Sequence, residues 1–427
     1  MSPSGPSLKR NAVWMMAGRT LRMVVQAVYF VMLARTLGVR EYGAFIGAAS
    51  MAGILAPFST LGTGFLIVRD VAGDPQSFRR AWGHALAMTA LSAAVLVVLG
   101  SIVGRLVLPA TISTAAIVLI AIAELGFARL LEICSQAFQA FEQLPYTAAF
   151  LFGLSFTRMV AAAALLSIEH PTALSWSIFY LAGTAAPAVV GLLLVNRRLG
   201  RPKFEVRWDF GHLREGAYFS ISLAAQSVYN DIDKAMLARL SGLAASGLYG
   251  AAYRLIEVAF TPVSSVLAAS FPRFMKHGNR SRQACMKFGL RLLWRAVAYG
   301  VVAWLGLFVA APLLRTVLGS QYADAVTALR WLAPLVLLKC MHYVGADSLT
   351  GFGRQGLRSA IQTGVALLNV GLNLAILPAY GWRGAAVTSL ISDGALAIGV
   401  WCAVIELSRR GQEKDRRAVL GSAAILR

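Results

Sequence analysis

The sequence predicts an all-α polytopic membrane protein, with about twelve transmembrane helices in two six-helix lobes related as parallel repeats around a central cavity. Three observations carry this. Apolar runs of about 19–27 residues recur along the chain, close to the ~20 residues that span a ~30 Å hydrocarbon core. Hydrophobic residues make up 58% and charged residues 14% of the sequence, whereas soluble chains carry about 25% charge. The basic residues behind the net charge of +21 collect in short connections between the apolar runs, which indicates membrane topology rather than nucleic-acid binding.

The first lobe, residues 1–195, contains spans 13–33, 42–68, 81–103, 112–138, 146–167 and 174–195. Lys9 and Arg10 precede the first run as in a signal peptide, but Arg19 and Arg22 interrupt it and no small-residue cleavage site follows. It is therefore expected to remain as an uncleaved helix. A basic cytoplasmic linker covers 196–216. The second lobe, 217–407, contains spans 217–240, 245–271, 296–314, 325–350, 360–378 and 385–404, and 408–427 forms a basic cytoplasmic tail. Spans 296–314 and 360–378 carry no charge and are expected to meet lipid. The first, fourth, seventh, eighth and tenth carry several charges each, which assigns them to protein interior or a watered cavity. Arg330, Lys339, His342 and Asp347 interrupt the tenth span, so a broken or tilted helix is expected there. Pro57, Pro187, Pro262 and Pro334 mark candidate bends.

The threading is tested by charge placement. With both termini on one side, 26 of the 40 Lys and Arg residues fall on that side and six on the other, the rest lying within spans. This bias puts both termini in the cytoplasm. Cys134, Cys285, Cys340 and Cys402 are widely spaced and read as packing residues, with no metal site or disulfide framework. No cofactor is indicated. The sequence has no P-loop, nucleophile elbow, dinucleotide fingerprint or H-E-x-x-H, and its five histidines do not cluster, so no enzyme is expected.

Function is written in polar groups inside apolar helices. In the seventh span, Ser222, Gln226, Asn230, Asp233 and Lys234 share an arc of ~120°, with Asp231 roughly 60° outside it. In the first span, Arg19, Arg22 and Gln26 share ~60°. Arg19 and Arg22 fit either recognition of phosphate through their forked donors or snorkelling to the headgroups, which is harder for Arg22, ~13 Å below its helix end. Asp231, Asp233, Lys234, Arg254 and Glu257 fall at similar depths. They fit a structural salt-bridge network, with Arg254 and Glu257 paired at i, i+3, or carboxylates that exchange a coupling ion. Arg129 and Glu132 are spaced to pair, and Arg158 needs a partner that Glu124 is nearest in depth to supply. Lys339, Asp347 and Asp393 are further cavity candidates, while Asn369 and Asn373 suit hydrogen bonding between helices.

The two halves echo one another. Leu33-Ala34-Arg35 and Gly38 match Leu237-Ala238-Arg239 and Gly242, and Tyr42-Gly43-Ala44 matches Tyr249-Gly250-Ala251. The offsets are close to half the chain, as in a duplicated unit in parallel orientation. The segments LARTLGVREYGAF, DIDKAMLARLSGLAASGLYGAAYRL and LLNVGLNLAILPAYGWRGAA resemble the polysaccharide-transporter branch of the multidrug/oligosaccharidyl-lipid/polysaccharide exporter superfamily. The resemblance extends over roughly residues 11–404.

That resemblance implies a flippase in the cytoplasmic (inner) membrane. It would carry polyprenyl-pyrophosphate-linked oligosaccharide from the inner to the outer leaflet for O-antigen, capsule or exopolysaccharide synthesis, by alternating access coupled to H+ or Na+. Membrane lipids and a polysaccharide polymerase are the implied partners, and no nucleic acid is. In the related lipid II flippases, cavity arginines on the first, second and eighth helices are implicated in binding the lipid pyrophosphate. Here the first and eighth spans hold Arg19, Arg22 and Arg254, and the second holds none. Substrate binding is thus expected at Arg19, Arg22, Gln26, Gln226, Asn230, Lys234 and Arg254, and ion coupling at Asp231, Asp233 or Glu257. A cation-coupled multidrug exporter of the same fold is the alternative, although cavity arginines suit a cationic drug poorly. A membrane glycosyltransferase or polymer ligase would bring a large extracytoplasmic loop, and the spans leave no room for one.

The loop charges make the topology testable with reporter fusions. Fusions after Lys203, Lys276 and Arg417 are expected to report cytoplasm, and those after Glu169 and Gln321 the outside. A periplasmic signal at Lys203 would break the two-half arrangement.

Overall fold

The computed structural model describes residues 8–204 and 210–425, with side chains over 21–71, 73–204, 220 and 223–410. Among these residues every regular element is helical. The chain begins with α1 (Leu8–Thr60), two helices joined at Gly38, whose φ of 70° and ψ of 173° are not helical. Leu61 and Gly62, both at positive φ, separate it from α2 (Thr63–Gly73). There follow α3 (Phe78–Val107), α4 (Thr114–Ala121), a π-helical turn (Ile122–Phe127) and α5 (Ala128–Ala140). Next come α6 (Leu144–Leu165), α7 (Ala173–Arg198), α8 (Phe210–Leu240), α9 (Leu243–Arg280) and α10 (Arg282–Ala310). The chain ends with α11 (Leu313–Leu318), α12 (Ala323–Leu332), α13 (Leu335–Gly351) and α14 (Gln355–Ile425). Gly381 divides α14 in the way that Gly38 divides α1.

Seven helical stretches among the described residues are long and apolar enough to cross a membrane. Two of them, Leu21–Val71 and Gln355–Arg410, contain Gly38 and Gly381 and supply two expected spans each. The other three expected spans are also helical. One is α8, whose charges lower its hydropathy, and another is α4–α5 with its π turn. The third is the interrupted tenth span, which breaks between α12 and α13 with a 43° bend at Ala333–Pro334. Proline lacks an amide hydrogen and cannot continue the ladder. The uncharged spans do present apolar surface outward, through Val302, Leu305 and Val309 on α10 and Leu367 and Leu374 on α14.

By packing, the chain divides into Met1–Gly247 and Leu248–Arg427. The division falls in the first turns of α9, later than the 196–216 linker between the two halves of the sequence. The physical reason is visible in the first unit, where α8 and the start of α9 lie backbone to backbone on α1. A Cβ added to Gly43 would stand 1.8 Å from the Leu243 carbonyl oxygen, and one on Gly247 would stand 2.1 Å from that of Val39. One on Gly47 would meet the Ala238 Cβ at 2.9 Å. Gly43 and Gly47 form a G-x-x-x-G pair, the spacing that lets membrane helices approach closely. The matched glycines of the sequence echo share a conformation too: Gly38 has φ 70° and Gly242 φ 93°, the left-handed region that L side chains rarely occupy.

Elsewhere in the first unit, Trp82 and Trp176 are fully buried, and the Trp82 indole N–H donates to Asn196 Oδ1 at 2.9 Å. The π turn presents Glu124 to α6 and α7. Glu124 Oε1 accepts from Arg158 Nη2 at 2.9 Å and from the Tyr180 hydroxyl. Arg158 Nε also donates to Thr184 Oγ1 at 3.0 Å, and its guanidinium lies over the Tyr180 ring, 4.3 Å from the centroid. Arg158 has the partner that depth alone suggested. Arg129 and Glu132 pair at 2.5 Å, also as their spacing predicts.

In the second unit α13 is almost wholly enclosed, packing against α10 and α14. Asn369 Nδ2 donates to Ser392 Oγ at 3.0 Å, joining the helices on either side of Gly381, and Asn373 donates to Asn369 at 2.9 Å. The Tyr249 and Ser389 hydroxyls bond at 2.9 Å. Cys134, Cys285 and Cys340 are buried free thiols and Cys402 is an exposed one.

Two expectations follow from this packing. Gly43→Ala is expected to lower stability by about 1–3 kcal/mol, the usual cost of overpacking. Gly53→Ala, where an added Cβ meets nothing within 4 Å, serves as its neutral control in denaturation of detergent-solubilised protein. Arg158→Ala leaves Glu124 buried without its cation and is expected to cost about 3–5 kcal/mol, with Glu124→Leu, Arg158→Met recovering part of the loss. Equal stability of the single and double variants would refute the pairing energetics.

Candidate functional site

The candidate groups fall into three places. On α1, Arg22 and Gln26 are half-buried, while Leu21, Val24 and Val28 on the opposite face are exposed. Tyr29, one turn beyond Gln26, continues the polar row and packs at a tilt against Trp176 with ring centroids 5.9 Å apart. Its hydroxyl also acts electrostatically on Arg158 and Tyr180. The row of Arg22, Gln26 and Tyr29 therefore leads from a half-buried cation toward the Glu124–Arg158 pair. The Arg19 side chain lies outside the described residues.

On α8 the polar stripe is bound into a compact local network. The Asn230 amide donates to the Gln226 carbonyl at 2.9 Å. Lys234 Nζ donates to the Asn230 carbonyl at 3.0 Å and to Asp231 Oδ1 at 2.5 Å. The Asp233 carboxylate accepts the Lys234 backbone N–H at 2.8 Å, and Ser246 donates to the Lys234 carbonyl at 2.9 Å. Asp233 and Lys234 are only 1% and 5% exposed, while the Asp231 side chain keeps 32%. Asp231, the residue outside the arc, is thus the carboxylate paired with the cation inside it. The i, i+3 spacing allows this because a lysine stem spans one helical turn.

Arg254 and Glu257 lie in the second unit, on α9, joined at 2.8 Å with 33% and 40% of their side chains exposed. This is the pair their spacing predicts, and it remains open enough to exchange partners.

A fourth group, in the second unit, joins the cavity candidates Lys339, Asp347 and Asp393 to partners that the sequence did not indicate. His342 on α13 and Asp393 on the second half of α14 meet at 2.7 Å with both side chains 2% exposed. Lys339, one turn before His342, lies 5.5 Å from the Tyr253 ring centroid, and Asp347 pairs with Arg358 at 3.1 Å. Arg358, in the connection between the tenth and eleventh spans, turns onto α13, where it also donates to Thr350 at 2.9 Å. The available signal was the i, i+3 spacing of Lys339 and His342 within an otherwise apolar run. Among the described residues no group of three His, Cys, Asp or Glu side chains could hold a metal.

Comparison with known proteins agrees with this architecture. Residues 8–277 match the model of the family described as Polysaccharide biosynthesis protein. A curated relative, the probable low-salt glycan biosynthesis flippase Agl15 of Haloferax volcanii, is 23% identical over 215 residues. The match covers 50% of this chain and 45% of that protein, so the chain matches less than half the relative's length. Among solved structures, the inward-facing conformation of a multidrug resistance MATE family transporter aligns with a TM-score of 0.74 at 12% identity, over 93% of this chain and 99% of that one. The lipid II flippase MurJ, inward closed, gives 0.70 at 12% identity over 92% and 87%. A MOP superfamily transporter from Pyrococcus furiosus gives 0.67 at 12% identity over 94% and 95%. Likeness at these identities shows the fold, and the family model extends over more than half of the sequence. The chain belongs to the Polysaccharide biosynthesis protein family and has the multi-pass helical membrane fold of these structures.

Proposed function

We propose that this protein is a flippase that moves polyprenyl-pyrophosphate-linked oligosaccharide from the inner to the outer leaflet of the cytoplasmic membrane, with both termini in the cytoplasm. The observation that carries the reading is the set of cations held inside apolar helices beside carboxylates. Arg22 is half-buried on α1, Lys234 is bound to Asp231 on α8, and Arg254 is bound to Glu257 on α9. The family match and the glycan flippase relative support the same substrate class. Pyrophosphate and sugars cannot enter hydrocarbon unaided, whereas the polyprenyl tail stays in the bilayer. Guanidinium groups meet phosphate oxygens in a bidentate fork.

The ion pairs suggest how transport is driven. Pyrophosphate arriving at Lys234 or Arg254 competes with Asp231 or Glu257 for the cation. A carboxylate displaced in this way gains affinity for H+ or Na+, so that binding of cargo and of coupling ion is linked at the same pair. Asp233, bound to a backbone N–H rather than to the lysine ammonium, fits a supporting role beside Asp231. The likeness to a multidrug MATE transporter favours, as a second reading, a cation-coupled drug exporter. Transport of organic cations that survives Arg22→Ala would select it. A polysaccharide polymerase remains the expected partner in the membrane.

Two expectations test the proposal in proteoliposomes at matched protein level, read as the leaflet distribution of lipid-linked oligosaccharide. Arg22→Ala is expected to weaken loading about tenfold or more, since a hydrogen bond to a charged group contributes ~1.5–3 kcal/mol, and Arg22→Lys to rescue it only in part. Wild-type flipping by the Arg19→Ala, Arg22→Ala double variant would mean that both side chains only snorkel. Asp231→Asn or Asp233→Asn is expected to leave a folded protein that cannot use an ion gradient. Unaltered gradient-driven flipping in both variants excludes these residues from coupling.

A further inference from the structure

The buried cluster of the second unit takes no part in the recognition and coupling steps proposed above, yet its composition suits a further role. His342 Nε2 and Asp393 Oδ1 are 2.7 Å apart, on helices separated by Gly381 and 51 positions in sequence. The charge of Lys339, itself 4% exposed, acts on both groups, and that of Arg358 acts on His342. The neighbouring titratable groups are few. From α13 they are Tyr343, whose ring centroid is 4.5 Å from that of His342, and Asp347, which is held by Arg358 of α14. From α9 comes Tyr253, beneath Lys339; on α13 the buried Cys340 lies two residues before His342, and Tyr299 of α10 interacts electrostatically with that thiol.

We propose that His342 and Asp393 form a proton-binding site inside the second unit. A carboxylate accepts from Nε2–H of the neutral imidazole, and the same hydrogen bond persists when the ring is charged. The site can therefore load one proton from water, forming an N–H bond on the ring and an imidazolium–carboxylate pair, without breaking its own contact. With His342 neutral, Lys339 and Arg358 balance Asp347 and Asp393. The incoming proton leaves one positive charge uncompensated in a region that excludes water, where unbalanced charge is costly. A rearrangement that brings in water or an anion relieves it. His342 lies two turns beyond the bend at Ala333–Pro334, on an element already divided from α12. Histidine is the side chain whose ordinary range makes such loading responsive near neutral pH.

The experiment uses full-length protein in lipid nanodiscs, with His84, His170, His212 and His277 replaced by Gln so that His342 is the sole 15N-labelled histidine. Its imidazole nitrogen signals are expected to move in a single titration between pH 5 and 9. Asp393→Asn is expected to lower proton affinity about tenfold or more, because it removes the opposite charge. Lys339→Met is expected to raise it, and this variant carries the test should Asp393→Asn not fold. Asp231→Asn, remote in sequence and in the other unit, should leave the titration unchanged. The proposal is overturned by imidazole signals that stay constant from pH 5 to 9, or by a titration that neither Asp393→Asn nor Lys339→Met moves. Because no cargo is present, the outcome is independent of the flippase reading.

Discussion

A charge inside a transmembrane helix has two ways to persist: a partner of opposite sign or access to water. That constraint organises this protein more than any single apolar contact does. The described intramembrane charges reveal which way each group has taken. Glu124 and Arg158 are tied across helices, with Tyr180 and Thr184 filling further hydrogen-bonding positions. Lys234 and Asp231 are tied within one helix, and so are Arg254 and Glu257, with their carboxylates still partly exposed. The difference separates structure from function. A pair locked between helices has to break packing to open, whereas an i, i+3 pair can exchange its partner by turning side chains.

The same distinction explains the backbone around these groups. Glu124 sits in a π-helical turn, and such turns are frequent at functional sites because they redirect a side chain without ending the helix. His342 follows a proline break, and Asp393 follows the glycine break at Gly381. Lys234 and Ser246 face one another across the short connection at Gly242, where Ser246 donates to the Lys234 carbonyl. Polar groups thus gather where the helical ladder is interrupted. Interrupted backbone is tolerated in a membrane only where protein or water satisfies it, so the same places can hold ionisable side chains.

Close helix approach supplies the mechanical counterpart. Gly43, Gly47 and Gly247 bring α1 against α8 and the start of α9 with no room for a Cβ. Dispersion and weak backbone contacts then replace the hydrophobic drive that lipid removes. This crossing carries the polar stripe of α8 into the first unit with the Arg22 row of α1. It also explains why packing divides the chain after α8 although the basic linker precedes it.

The helical class and the apolar or charged character of each span were legible in the order of the amino acids. Hydrophobic run length is a local property matched to bilayer thickness, so it survives any tertiary arrangement. Pairs at i, i+3 were legible for the same reason: Arg129–Glu132 and Arg254–Glu257 are set by helix geometry alone. The partner of Arg158 could be read from depth, since a membrane orders residues along its normal. The tertiary structure alone decided how helices meet about that normal. Depth says nothing about rotation or neighbourhood, so the backbone contact at Gly43 and Gly247 could not be deduced from hydropathy. Nor could the turn that brings Arg358 to Asp347. His342 and Asp393 lie on spans that share no local pattern, and only the packing of α13 against α14 makes them one site.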